Sequence, residues 1–104
     1  MSASINSFEN TGWNLAEGYN EGTLLKILHQ DDRITTFLLR CDKGVVVDRK
    51  SHTFTEEHLI LRGKFRVDNL EIGEGTFRHL EPGEFHGPFV CIEPVLALVT
   101  FIKG

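Results

Sequence analysis

From residue 23 onward the chain is a series of short apolar runs cut by turn residues. TLLKILH (23–29) is followed by Gln30, Asp31 and Asp32, and ITTFLLRC (34–41) by Asp42, Lys43 and Gly44. VVVDRKSH (45–52) comes next, then EHLILRGKFRV (57–67), closed by Asp68 and Asn69. TFRHLE (76–81) stops at Pro82 and Gly83, FVCIE (89–93) stops at Pro94, and VLALVTFI (95–102) is the last run. Turn signals about every 8–12 residues, between about seven apolar runs, predict an all-β sandwich or barrel. TLLKILH also carries apolar residues at helical spacing, but it is short and uncapped, so it reads as a strand. Residues 1–22 are polar and rich in Gly and Asn, with Phe8, Trp13, Leu15 and Tyr19 as the anchors available to pack. They are expected to form an N-terminal arm, and residues 23–104 a single barrel.

Composition narrows this reading without redirecting it. A chain of 104 residues is one domain with room for one core. Of its aromatic residues 8 are Phe, with 1 Trp and 1 Tyr, a usage that favours strands. The net charge of −4 argues against a nucleic-acid partner. The densest basic group, Arg62, Lys64 and Arg66, reads as the solvated face of one strand. Cys41 and Cys91 are far apart and form no C-x-x-C pair, so both are expected to be reduced, buried thiols. The first residues do not read as a signal peptide, and the apolar runs fall far short of the ~20 residues that span a bilayer. A cytoplasmic protein without a membrane partner is therefore expected.

The stretch GVVVDRKSHTFTEEHLILRG (44–63) breaks the pattern. Strand side chains alternate faces, so Lys50, His52 and Phe54 share a face on one strand and Glu56, His58 and Ile60 share a face on the next. Polar groups pointing into a small barrel are costly unless they pair or bind something. Two imidazoles and a carboxylate on one side of an ion form a site for a divalent metal with positions left open. His52 and Glu56 supply two of these ligands, and His86, delivered by the Pro82–Gly83 turn, is the candidate third. On the residues alone, a metal-free cluster held by hydrogen bonds also satisfies them. Lys50 weighs toward that alternative, because an ammonium 4 Å from a divalent ion is repelled by roughly 4 kcal/mol or more at an effective dielectric of 20. Lys50 and His58 are the candidate catalytic groups. Lys50 would attract an anion or act as a neutral base, and His58 lies one step deeper, against its neighbours.

These residues resemble the two motifs of the cupin superfamily. The first reads Gly44, VVVDR, Lys50-Ser51-His52, TFT, Glu56, EHLILR, Gly63. The second reads Gly75, TFRHL, Glu81-Pro82-Gly83, EF, His86, GPF, Val90. The departures are Lys50 in place of the first metal-binding histidine, Glu81 in place of a proline and Val90 in place of an asparagine. Among cupins the chain looks most like small stand-alone RmlC-like members, with looser similarity to ChrR-type domains and diketone-cleaving dioxygenases. The resemblance implies a double-stranded β-helix, the jelly-roll barrel, and a homodimer. It carries metal-ligand roles to His52, Glu56 and His86, with Fe(II) favoured and Zn, Ni or Mn compatible. The implied activity is that of a dioxygenase-like oxidoreductase or an isomerase acting on a small carbonyl-bearing or anionic molecule. The alternative is a non-catalytic small-ligand-binding or sensory cupin, metal-free because Lys50 has replaced a ligand.

Overall fold

The computed structural model describes residues 12–16, 19, 21–47, 50, 51, 53–86 and 88–103, with backbone alone for 50, 51, 85 and 86. The strands are β1 (Asn14–Leu15), β2 (Thr23–Gln30), β3 (Ile34–Cys41), β4 (Val46–Val47), β5 (Lys50–Ser51) and β6 (Thr55–Arg62). They continue as β7 (Lys64–Val67), β8 (Leu70–Gly73), β9 (Phe77–Leu80), β10 (Phe85–His86), β11 (Phe89–Cys91) and β12 (Val95–Ile102). A six-stranded sheet has the order β1-β2-β3-β12-β6-β9, a four-stranded sheet the order β4-β11-β7-β8, and β5 pairs with β10. Every ladder is antiparallel.

The core lies between the two larger sheets. Val95, Ala97 and Val99 of β12 are buried and alternate with half-buried neighbours, as a strand with one inward face requires. Phe37, Leu39 and Ile60 from the six-stranded sheet join Val47, Phe65 and Cys91 from the four-stranded sheet in one apolar cluster. Phe101 packs on Phe37 and on Phe54, with ring centroids 5.0 and 4.6 Å apart. Part of the arm is tied down: β1 extends the large sheet, and the guanidinium of Arg40 stands 5.1 Å over the Trp13 ring.

The run expected at 57–67 is two strands. Gly63 separates them with φ +86, and a Cβ there would overlap the Pro94 carbonyl, so only glycine fits. The chain crosses at this point from the large sheet, which holds β6, to the smaller one, which holds β7. Arg62 therefore does not share a strand with Lys64 and Arg66. The last two face Glu71 of β8 at 3.5 and 3.2 Å, and these hydrogen bonds and charges hold its carboxyl below the usual range. The run expected at 45–52 is likewise divided, into β4 and β5. Strand β8 was not anticipated, since LEIG carries few apolar residues.

Candidate functional site

The phase of β6 is set by Ile60, which is 2% exposed in the core. Two and four residues earlier, His58 and Glu56 face the same way and are 8% and 2% exposed. His58 Nε2 lies 2.7 Å from Glu56 Oε1. With Glu56 ionised, its oxygens only accept hydrogen bonds, and Nε2 is then the donor in this pair.

Strand β9 supplies a residue that the sequence reading passed over. Its register places Leu80 opposite Glu56 and Arg78 opposite His58. Arg78 therefore shares the inward face with His58, and its Cζ sits 5.8 Å from the centroid of the Phe65 ring. Burial lowers the pKa of the guanidinium, and the negative charge of Glu56 acts in the opposite sense. Its Nη1 is buried and has no hydrogen-bond partner among the described residues. Sequence parity alone does not find it, because the apolar residues Phe77 and Leu80 lie on opposite faces of β9.

The arm supplies another. Tyr19 packs against the core, with its N–H donated to the Ala16 carbonyl at 3.1 Å. Burial raises its phenol pKa, and nearby Glu56 and Cys41 raise it further, so the hydroxyl keeps its proton. Tyr19, Glu56, His58, Phe65 and Phe89 wall a cavity of about 20 Å³, room for about one water molecule.

The two motif segments meet on the β5–β10 ladder, where His86 is the register partner of Lys50 and Phe85 of Ser51. The turn that leads into β10 is closed by the Glu84 N–H bonding to the Glu81 carbonyl at 3.1 Å. His52 lies outside the described residues, as do the side chains of Lys50 and His86. Among the described residues, no group of three or more His, Cys, Asp or Glu is placed to hold a metal.

The other histidines lie outside this interior, whereas Cys41 lines the cavity. His79 is on the outer face of β9, with Nδ1 2.9 Å from Glu57 and Nε2 3.0 Å from Glu81. Both hydrogen bonds, Glu57's first, raise its pKa. His29 is on the surface, 2.8 Å from Asp31. Cys41 and Cys91 are buried free thiols. Donation of its S–H to Cys41, followed by burial, pushes the Cys91 thiol up, which makes it a poor nucleophile.

Among solved structures the fold is similar to an acetylacetone dioxygenase from Acinetobacter johnsonii, at TM-score 0.83 and 15% identity, covering 98% of this chain and 75% of that one. It is similar to an RmlC-like cupin from Shewanella frigidimarina, at TM-score 0.81 and 20% identity, covering 99% and 93%. It also resembles the anti-sigma ChrR, solved in complex with SigE from Rhodobacter sphaeroides, at TM-score 0.74 and 22% identity, covering 91% of this chain and 50% of that one. A search of curated proteins finds no sequence match. The sequence itself matches the ChrR cupin-like domain over residues 5–103, nearly its full length, and the chain is a member of that family within the cupin superfamily.

Proposed function

We propose that this cupin is a metal-dependent enzyme acting on a small carbonyl-bearing or anionic molecule, by dioxygenase-like or isomerase chemistry. His52, Glu56 and His86 would hold one divalent ion, with Fe(II) favoured over Zn, Ni or Mn. The observation that carries this reading is the pair in the barrel interior: a carboxylate 2% exposed, held at 2.7 Å by an inward histidine. That donor fits a metal of this kind, because a ligating carboxylate is oriented by hydrogen bonds from the residues behind it. His58 holds Glu56 in place and sets its direction. When bound, the ion supplies Lewis-acid or redox chemistry to a substrate oxygen. Lys50, across the ladder from His86, contributes positive charge for an anionic substrate, or a base in its neutral form.

The second reading is a non-catalytic, metal-free ligand-binding or sensory cupin. It draws support from Arg78, whose charge attracts Glu56 and could balance it without an ion. Elemental analysis separates the two, using untagged protein purified without chelator or nickel resin, with His86→Ala alongside. About one metal per chain, lost in the variant, is the expected result. A metal-free protein that gains no thermal stability when Fe, Ni or Zn is added overturns the metalloenzyme reading.

We further propose a homodimer formed through the outer face of the large sheet. Leu98, Leu59 and Phe77 follow one another in register across β12, β6 and β9, and Phe77 is 58% exposed. A dimer mass in solution that falls to the monomer mass in Phe77→Glu is expected, and a monomeric wild type overturns the proposal.

A further inference from the structure

From the placement of Arg78 we infer that the barrel interior recognises a monocarboxylate, and that Arg78 is its specificity-determining residue. The inference rests on the reading of this interior as a small-molecule site, with or without a metal. Arginine on a sheet ordinarily extends its charge into water. Here the register turns it inward beside His58, and its Cζ lies over the Phe65 ring. Phe65 also lines the cavity that Glu56 and His58 border. The ring face attracts the cation, and the N–H groups of the guanidinium still need acceptors.

One of those groups, Nη1, is buried and without a hydrogen-bond partner among the described residues. A buried donor on a charged group is costly to leave unmatched, and so marks a position where an acceptor is wanted. The planar fork of arginine matches carboxylate and phosphate alike. One feature favours carboxylate. Glu56 acts on Arg78 electrostatically, so an incoming dianion would meet more repulsion than a monoanion. Arg78 thus binds and orients one end of the substrate, and takes no part in breaking or making its bonds.

The test compares acetate with acetamide, a neutral analogue of the same shape, at constant ionic strength on the full chain. Binding is followed by calorimetry and by the Arg78 Nε–Hε resonance, with inorganic phosphate as a further probe. The expected results are that acetate binds at least tenfold more tightly than acetamide and more tightly than phosphate, and that it moves the Arg78 resonance. Arg78→Gln should weaken acetate binding at least tenfold and leave acetamide unchanged, with Arg78→Lys between the two. A residue serving only as a counter-charge to Glu56 would change the melting temperature without changing this discrimination. Equal affinity for acetate and acetamide, or full acetate affinity in Arg78→Gln, overturns the proposal. Tighter binding of phosphate overturns the monocarboxylate assignment. If Arg78→Gln does not fold, the wild-type resonance decides: no shift with acetate sinks the idea. Metal content measured on the same samples reports separately on the metalloenzyme reading.

Discussion

Glu56 and Glu57 are neighbours on β6, and each contacts a histidine at hydrogen-bond distance. Glu56 holds His58 at 2.7 Å inside the barrel, and Glu57 holds His79 at 2.9 Å on its outer surface. The chemistry of the two contacts is nearly the same, but the surroundings are not. The Glu56 side chain is 2% exposed and its partner's 10%, whereas those of Glu57 and His79 are 33% and 44% exposed. Water can replace either half of the outer pair at little cost, and salt screens it. Within the barrel a missing partner leaves a polar group that water cannot reach. One step along a strand separates a contact shut inside the barrel from one open to water.

The largest expected effect comes from breaking the inner pair. Glu56→Ala removes the partner of a buried imidazole and the charge beside Arg78, and is expected to cost about 3–5 kcal/mol of unfolding free energy by denaturant titration. Glu57→Ala, run alongside, should leave the midpoint nearly where it was. A similar loss in both variants would show that burial does not distinguish the two pairs. A double-mutant cycle on Glu56→Gln and His58→Gln sharpens the point. A coupling of about 2 kcal/mol or more is expected for the inner pair, and a clearly smaller one for Glu57→Gln with His79→Gln. Raising the salt concentration should change neither the inner coupling nor the rank of the two sites.

The smallest effects concern pH and arise at the surface. The pKa of His79 is raised in the folded chain, so its contribution is fully present below the ordinary imidazole value and is lost as pH rises through the folded one. The stability difference between wild type and His79→Gln should therefore shrink on the alkaline side of neutrality. Asp31 has the opposite sign: its hydrogen bonds to His29, Arg33 and Ile34 lower its pKa to about 2. Its contribution is present above the ordinary carboxylate value and disappears as pH falls through about 2, so wild type and Asp31→Asn should converge there. Thermal midpoints measured across pH check both, and a difference that does not vary with pH counts against the assigned contacts.

Most strands could be read from the sequence because their apolar runs end at strong turn residues, such as Asp31 before β3 and Pro94 before β12. Reading 57–67 as one strand failed because an isolated glycine inside a run looks tolerable until Pro94, far along the sequence, is found packed against it. The inward phase of Glu56 and His58 was legible, because Ile60 continues the same parity. Arg78 was not, since which face of β9 points inward depends on its register with β6. That register puts Leu80 and Arg78 inside and leaves Phe77 and His79 outside. The meeting of Lys50 and His86 on one ladder was implied by the motif resemblance, and spacing alone would not have revealed it.

The position of β12 bears on how the barrel comes to exist at all. Residues 95–102 lie in the middle of the large sheet, bonded to β3 on one side and β6 on the other. On the ribosome, the strand that carries Glu56 and His58 is made long before the strand that must lie against it. Until that late segment emerges, β3 and β6 each present an open edge, the kind of surface on which nascent chains adhere to one another. Pairings between residues so distant in the sequence also form slowly. The interior is therefore complete only once β12 has been made, and a chaperone that shields these edges during synthesis would act on the same strands that later frame the site.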